Sequence, residues 1–235
     1  YELLAKYTIL AEGCRGQLGK RLMSRFHLDK DKDPQHYGIG LKELWEIDAD
    51  KHEQGVIMHG SGWPLSETGT TGGWWLYFAE DNQVSFGLVV DLSYHNPYVS
   101  PFDELQRLKL HPIIRPILEG GKRLSYGARA LTKGGLNSLP KLTFAGGVLV
   151  GDDAGFLNPA KIKGTHTSMK SGMLAAESIF NAIQAGRSSD EVVEYQTAFE
   201  NSWLFEDAHQ ARNFSPSLHR MGTWMGGVST FVEQN

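Results

Sequence analysis

The chain contains a single cysteine, Cys14, among its 235 residues. One cysteine excludes an internal disulfide framework, a CxxC redox pair and any metal site built from cysteines alone. No apolar run approaches the roughly 18 residues that indicate a transmembrane helix, and no signal peptide opens the sequence. The net charge of −4 is close to balance, so the composition predicts no nucleic-acid partner.

Two other features are missing at the start of the chain. No initiator methionine precedes Tyr1, and no G-x-G-x-x-G dinucleotide fingerprint lies upstream of the first predicted strand. Residues 7–16 nevertheless predict a buried strand that runs into a glycine turn, and 17–26 have helical spacing. Thr8-x-x-x-Glu12-Gly13 resembles the second fingerprint of flavoproteins with two dinucleotide-binding domains. We therefore expect a piece of a longer protein.

Glycine and aromatic residues, in contrast, are plentiful. The sequence has 27 glycines, six tryptophans and eight tyrosines. Glycine-rich loops combined with exposed aromatic side chains are typical of a protein that faces a cofactor or a lipid. A β-rich fold would give the same composition.

The most informative stretch covers residues 148–171. A β-rich apolar run ends at Gly151-Asp152, a polar loop with glycine and proline follows, and a helical pattern opens at Gly164. A carboxylate at the end of a strand can accept hydrogen bonds from sugar hydroxyls. The first N–H groups of a helix stabilise a negatively charged group placed near them. The stretch therefore indicates a site for a polyhydroxylated, anionic cofactor. An ordinary strand–loop–helix connection is the alternative.

Residues 35–92 have the pattern of antiparallel strands. Apolar runs over 74–79 and 84–91 flank the polar cluster 80–83, which predicts a β-hairpin. We expect Trp74, Tyr77 and other aromatic residues to line the solvent or ligand face of this inserted sheet. A helix should begin after Ser100 and run to about Leu110, followed by a strand over 122–131.

Several long motifs resemble those of the electron transfer flavoprotein–ubiquinone oxidoreductase family, and they follow one another in order along almost the whole chain. They are Y-G-I-G-L-K-E-L-W (37–45), G-W-P-L (62–65), T-G-G (71–73), N-P-Y-x-S-P-F (96–102), L-E-G-G-K-R (118–123), Y-G-A-R-A-L (126–131), G-G-L-N-S-L-P-K-L (134–142) and K-I-K-G-T-H-T-S-M-K-S-G (161–172).

The resemblance implies an enzyme that takes electrons from reduced electron transfer flavoprotein and passes them to ubiquinone. It implies FAD as cofactor and a [4Fe–4S] cluster in the parent protein. One cysteine cannot supply the four cluster ligands. The chain resembles the middle of such a protein, so we expect the isolated piece to be inactive.

The implied fold class is α+β, with an incomplete Rossmann-like FAD-binding portion and an inserted antiparallel sheet plus helices. We expect four segments: 1–26 and 132–187 in the FAD domain, 27–131 as the ubiquinone-binding domain, and 188–235 as a helical segment leading toward the cluster domain. Residues 97–118 and 214–232 combine aromatic and apolar residues, which suits monotopic contact with a mitochondrial or bacterial inner membrane. Core packing against the cluster domain is the alternative.

The resemblance also implies site residues. The backbone of Gly72 and Gly73 should approach the quinone head group, with a β-bulge as the alternative interpretation. For FAD, we expect Asp152 to contact the ribityl chain, with Asp153 beside it. Gly164, Thr165 and Thr167 should open the helix that faces the pyrimidine end of the flavin. Asn137 should lie in a loop next to the flavin.

The purely structural alternatives are helix N-capping for the two threonines and turn formation for Asn137. We assign no catalytic residue, because electron transfer needs no general base, and we expect His166 only to position its neighbours. We expect no metal site, because the histidines lack the spacing of metal ligands. Two other functions share the pattern: a flavin-dependent reductase of the geranylgeranyl reductase type and a nitrogen-fixation-linked flavoprotein oxidoreductase. A lipid- or quinone-binding module without enzymatic activity is a third hypothesis.

Overall fold

The structure, a computed structural model, describes residues 2–234, and at 218, 219, 223, 224 and 230–234 it describes the backbone only. The chain has an α+β fold and divides into two compact units. The first unit combines the residues up to His36 with those from Leu131 onward, and the second covers Tyr37–Ala130.

The helices and strands follow one another in this order: β1 (Thr8–Leu10), α1 (Gln17–Phe26), β2 (Tyr37–Glu46), β3 (Ile57–Ser61), β4 (Gly72–Phe78), β5 (Gln83–Asp91), α2 (Pro101–Leu108), α3 (Arg115–Leu118), β6 (Lys122–Thr132), β7 (Thr143–Phe144), β8 (Gly147–Leu149), α4 (Gly151–Ala154), α5 (Thr165–Gln184), α6 (Val193–Glu200), α7 (Trp203–Gln210) and α8 (Phe214–Gln234). Short 3₁₀ helices lie at Ala49–Lys51, Leu65–Thr68 and Leu136–Ser138.

The first unit is built on a small sheet of order β1-β8-β7. β1 pairs in parallel with β8, with Leu10 opposite Leu149, although the two strands are far apart in sequence. Helices α5 and α6 bury Ile179 and Tyr195 in the same core, and the Tyr195 hydroxyl donates to the Leu149 carbonyl over 3.1 Å. Residues 27–36 also belong to this unit, where the Gln35 side chain accepts from the Gly134 N–H over 2.7 Å.

The second unit is a five-stranded sheet of order β3-β4-β5-β2-β6. The predicted hairpin is confirmed, because β4 and β5 pair without interruption from Gly72↔Val90 to Phe78↔Val84. Asp81 and Asn82 at its tip both have positive φ, a conformation that short polar residues tolerate better than most. Ser100 caps α2 as expected by accepting from the Asp103 N–H over 3.3 Å, but the helix ends at Leu108.

The assignment of Trp74 and Tyr77 to one face is wrong. Side chains alternate along a strand, so residues three apart lie on opposite faces. Trp74 packs against the apolar core of the second unit, together with Leu76 and Phe86. Trp75 shares the opposite face with Tyr77, and their ring centroids lie 6.4 Å apart.

Three acidic residues are buried in the second unit: Glu43, Asp91 and Glu104. Glu43 of β2 is 2% exposed and accepts from the Lys109 ammonium, the Arg123 guanidinium and the Trp45 indole at 2.9–3.1 Å. Burial raises the pKa of Glu43, but the hydrogen bonds from Lys109, Trp45 and Arg123 outweigh it and leave the pKa below its ordinary value. This carboxylate therefore links β2 to Lys109, just after α2, and to Arg123 of the neighbouring strand β6.

Candidate functional site

The candidate site begins where β8 ends, at Gly151. Its φ of 60° lies in the left-handed region, which glycine adopts at little cost. A Cβ here would lie 3.3 Å from the Ser168 hydroxyl, so the turn approaches α5 closely. The Gly151 N–H donates to the Ser171 hydroxyl over 2.9 Å, and this hydroxyl donates to the Ser168 carbonyl over 2.8 Å. The start of α4 is therefore fixed against the first two turns of α5.

Asp152 is half-buried at the start of α4 and accepts from the Thr132 hydroxyl. Burial raises the pKa of its carboxyl, and the hydrogen bonds from Thr132 offset this only in part. A carboxyl in this state is well suited to hydrogen bonding with a polar ligand, because it is partly withdrawn from water and still reachable.

The Asp153 side chain lies against the start of α1. It is 5% exposed, and within residues 2–234 neither of its carboxyl oxygens has a hydrogen-bond partner of normal geometry. A Cβ on Gly16, at the start of α1, would lie 2.5 Å from one of these oxygens and 2.7 Å from a carboxylate oxygen of Glu12. Gly16 and Gly19 thus leave the room that the Asp153 side chain occupies.

Burial is the main cause that raises the pKa of Asp153, and the charges of Glu12 and Asp152 add to it. The nearby backbone N–H groups of Glu12 and Gly16 counteract this rise without reversing it. The Glu12 carboxylate itself caps α1, accepting from the N–H groups of Leu18 and Gly19 over 2.7 and 2.9 Å. Asp153 therefore faces a helix end that already holds a negative charge.

The opening turn of α5 has Gly164 as its N-cap, and no side chain caps it among the described residues. The N-capping alternative for the two threonines is therefore not what this geometry shows. Thr167 is 1% exposed and donates its hydroxyl proton to the Gly164 carbonyl over 2.8 Å, whereas Thr165 is exposed. The N–H groups of the first turn and the positive end of the helix dipole are thus presented to a ligand.

Asn137 is exposed in the 3₁₀ turn at Leu136–Ser138, and its carbonyl accepts from the Asp33 N–H over 3.0 Å. Its side chain lines two cavities of about 430 and 190 Å³. The turn approaches the loop before α5, since a Cβ on Gly135 would lie 3.4 Å from the Pro159 ring. Five of the six expected flavin residues lie around α4 and the start of α5, and Asn137 lies on the neighbouring turn.

These residues fit one half of FAD. A half-buried carboxyl, an uncapped helix N-terminus and an exposed hydroxyl match the ribityl chain and the pyrimidine edge of the flavin. The G-x-G-x-x-G fingerprint, which would hold the pyrophosphate, is absent from this sequence. The residues present could therefore hold the ribityl and pyrimidine part of a flavin, and the pyrophosphate would need residues from outside this sequence.

Gly72 and Gly73 lie in β4, in the second unit. They pair in register with Val90 and Val89, so this strand has no bulge between 72 and 78. A Cβ on Gly72 would collide with the Val89 carbonyl, and one on Gly73 would lie 2.9 Å from the Gly60 carbonyl oxygen. The sheet itself therefore requires glycine at both positions, whether or not a ligand approaches them.

Sequence reasoning missed three contributors: Thr132, the pair Gly16 and Gly19, and helix α7, whose Asp207 accepts from the Asn158 side chain in the loop before α5. Only the glycine pair left a signal, since two glycines three residues apart at the start of a helix place both on the same face. Thr132 and α7 come from other parts of the chain, and nothing in their local pattern marks them.

Comparison with known proteins agrees with the motifs. Residues 37–131 match the family described as ETF-QO, ubiquinone-binding. The chain is 62% identical, over its whole length, to a probable electron transfer flavoprotein-ubiquinone oxidoreductase of Acinetobacter baylyi, and 56% identical to the protein of that name from Pseudomonas aeruginosa. The human mitochondrial protein is 52% identical over 98% of the chain. The chain belongs to the electron transfer flavoprotein–ubiquinone oxidoreductase family. It spans 44%, 42% and 39% of the lengths of these three relatives.

More distant structures share the fold alone. A geranylgeranyl bacteriochlorophyll reductase-like protein from Thermoplasma acidophilum superposes with a TM-score of 0.69 at 18% identity, covering 98% of this chain and 55% of its own. The flavin-dependent halogenase CmlS gives a TM-score of 0.56 at 18% identity, over 97% of this chain and 39% of its own. Within the part of the chain that the structure describes, no helix is both long and apolar enough to cross a bilayer.

Proposed function

We propose that the protein containing this chain accepts electrons from reduced electron transfer flavoprotein and reduces ubiquinone, and that this chain supplies part of the FAD site and the ubiquinone-binding domain. The observation that carries the proposal is the match along the whole chain to oxidoreductases of that name. The Gly151-Asp152 turn against the uncapped start of α5 supports it from the geometry.

FAD, when bound, supplies a centre that takes up and releases electrons one or two at a time. With FAD bound, Asp152 would accept hydrogen bonds from the ribityl hydroxyls. The N–H groups at the start of α5 and the exposed Thr165 hydroxyl would hold the pyrimidine edge and favour negative charge there. Thr167 fixes the Gly164 carbonyl, which keeps the helix start in place. Asp153 lies on the side of α4 that faces α1, in the space left by Gly16 and Gly19, and Asn137 would flank the ring.

The ubiquinone site in this proposal uses the backbone of Gly72 and Gly73. Gly73 shares its face of the sheet with Trp75 and Tyr77, and Gly87 is opposite Trp75 in β5. Because the glycines have no side chains, they leave space on this face beside the flat Trp75 indole. That space suits the flat head group of ubiquinone. No charged residue of β4 interrupts it.

We further propose monotopic contact of the second unit with a bacterial or mitochondrial inner membrane. Around α2 and α3, four large side chains are between 54% and 93% exposed: Tyr98, Phe102, Leu110 and Ile113. Isolated exposed apolar residues are ordinary, but four within one short segment suit the interfacial region of a bilayer. In the other expected segment Met221 and Met225 are exposed, while the side chains of Trp224 and Phe231 lie outside the described residues.

The remaining parts of the electron path belong to the rest of the parent protein in this proposal. They are the [4Fe–4S] cluster, whose ligands this sequence lacks, and the docking site for electron transfer flavoprotein. The expected segment boundaries, with FAD-domain pieces on both sides of an inserted quinone domain, stay part of the proposal.

The flavin assignment is tested by replacing Asp152 with alanine in the full-length protein. We expect the variant to fold and to lose FAD during gel filtration, because the ribityl hydroxyls lose a charged acceptor. Asp29→Ala removes an exposed carboxylate elsewhere in the same unit and should retain FAD. Full flavin occupancy in the Asp152 variant would count against the assignment.

The quinone assignment is tested by fluorescence. A soluble ubiquinone analogue bound beside Gly73 should quench the Trp75 indole, so Trp75→Phe should remove a saturable part of the quenching. Trp45→Phe, on the opposite face of the sheet, serves as the control. Identical quenching curves for the wild type and the Trp75 variant would contradict a quinone site on this face.

A further inference from the structure

The loop that leads into α5 has a strained backbone. Ile162 has a φ of 51°, and its side chain is 43% exposed. A β-branched residue in the left-handed region is disfavoured, because its Cβ substituents crowd the following carbonyl. No burial of the Ile162 side chain compensates for this conformation, so the neighbouring contacts must hold it in place.

Asn158 supplies part of those contacts. It is 4% exposed, and its side-chain Oδ1 accepts from the N–H groups of Ala160 and Lys161 over 3.0 and 3.1 Å. Its backbone N–H donates to the Lys163 carbonyl over 3.1 Å, which closes the loop immediately before Gly164. The side-chain Nδ2 of Asn158 donates to the Asp207 carboxylate over 2.7 Å.

Asp207 lies on α7 and also pairs with the Lys161 ammonium. Its side chain is 15% exposed. Burial raises the pKa of Asp207, but the hydrogen bonds from Lys161 and Asn158 outweigh it and lower the pKa, and the charge of His166 acts in the same direction. Asp207 is therefore a charged group that fixes the loop from α7.

The same helix also holds the first turn of α5. Trp203, one turn before Asp207, stacks on His166 with ring centroids 6.1 Å apart and an interplanar angle of 6°. α7 thus contacts both sides of Gly164: the loop before it through Asp207, and the helix after it through Trp203.

We propose that Asn158, Asp207 and Trp203 form a positioning clamp that sets where the N-terminus of α5 meets the flavin. The clamp rests on the proposed function, because it acts through the N–H groups of residues 165–167. Stabilisation of charge by a helix end depends on distance and falls off within the first turn. A displaced helix start therefore stabilises the reduced flavin less, although no clamp residue touches the ring.

The experiment compares variants of the full-length protein with FAD bound. Asp207→Ala should lower the flavin midpoint potential and raise the dissociation constant for FAD by about two- to fivefold, the factor that corresponds to losing about 0.3–1 kcal/mol of charge stabilisation by a helix end. The reciprocal pair Asn158→Asp with Asp207→Asn keeps one carboxylate and one amide on the two sides of the hydrogen bond between positions 158 and 207. This pair should restore both values.

Glu191→Ala is the matched control. Glu191 is a partly buried acid of the first unit that also joins a lysine and a polar side chain, Lys141 and Thr143, each over 2.6 Å. Its loss should lower the melting temperature and leave the flavin potential unchanged. Trp203→Leu is a second test, since it removes the ring stack without leaving a buried polar group unpaired.

The clamp is overturned if Asp207→Ala and Trp203→Leu both bind FAD with the wild-type potential and affinity. It is equally overturned if Glu191→Ala shifts the potential as much, or if the folded reciprocal pair fails to restore it. A wild-type protein that holds no flavin would overturn the proposed function together with the clamp, so the two failures are distinguishable.

Discussion

Replacing Asp153 with asparagine should make the protein more stable at neutral and alkaline pH. The carboxyl is 5% exposed, and both of its oxygens lack a hydrogen-bond partner within residues 2–234. Leaving a buried polar group unsatisfied costs about 1–3 kcal/mol, and a charged group costs more. Asparagine has nearly the same shape, carries no charge, and presents an N–H₂ group that can donate toward the nearby Glu12 carboxylate.

The sign of the pH dependence follows from the direction of the pKa shift. Burial raises the pKa of Asp153 in the folded chain above its ordinary value of 3.8. Below the unfolded pKa the group is protonated in both states, so it does not change the stability. As the pH rises through the folded pKa, the unfolded state has already released its proton and the folded wild type loses stability. Asparagine does not titrate and avoids this loss.

The assay is thermal unfolding of the wild type and Asp153→Asn at about pH 8 and about pH 3.5. We expect a gain of about 1–3 kcal/mol at the higher pH and almost none at the lower. In a chain of this size, each kcal/mol raises the melting temperature by about 2–4 °C. Asp29→Asn, at an exposed acid, is the control for the loss of one negative charge. An Asp153 variant that melts at or below the wild-type temperature at pH 8 would refute the reasoning, and so would an equal gain at both pH values.

Three further outcomes are expected. Thr165→Ala should lower the flavin midpoint potential by tens of millivolts, because a hydrogen bond to a charged group is worth roughly 1.5–3 kcal/mol; unchanged potentiometry would leave Thr165 without a flavin role. Glu43→Leu should destabilise the chain by about 3–5 kcal/mol in chemical denaturation, since Lys109 and Arg123 lose their shared partner; a loss below 1 kcal/mol would contradict the buried ion cluster. Gly73→Val should lower the melting temperature by forcing β4 away from Gly60, and an unchanged melting temperature would show that the sheet tolerates a side chain there.

The local parts of the fold were predictable from the sequence. The hairpin of β4 and β5 followed from two apolar runs around a polar turn, and the α2 start followed from Ser100 and Pro101, because both depend on residues close together in the chain. The predicted shared face of Trp74 and Tyr77 is wrong because side chains alternate along β4, so residues three apart lie on opposite faces.

The candidate site was predictable only in its local half. Gly151, Asp152 and Gly164 belong to one continuous strand–loop–helix pattern, whose spacing brings them together. Two contacts depend on segments that are distant in sequence: the approach of Asp153 to α1 and the hydrogen bond between Asn158 and Asp207. A local sequence pattern does not tell which of many distant polar side chains becomes the partner of a given polar group. These contacts are therefore visible only in the three-dimensional structure.

The path of the chain between β1 and β8 has a consequence for folding and for evolution. The chain leaves the first unit at His36 and re-enters it at Leu131, and the Lys133 N–H donates to the His36 carbonyl over 2.7 Å. An insertion whose two ends are joined in this way adds little to the entropy of closing the parent fold, since even a flexible loop costs only about 0.6 kcal/mol for each doubling of its length. The inserted sheet can therefore be exchanged or resized while the parallel pairing of β1 and β8 persists, so one framework can carry different inserted domains.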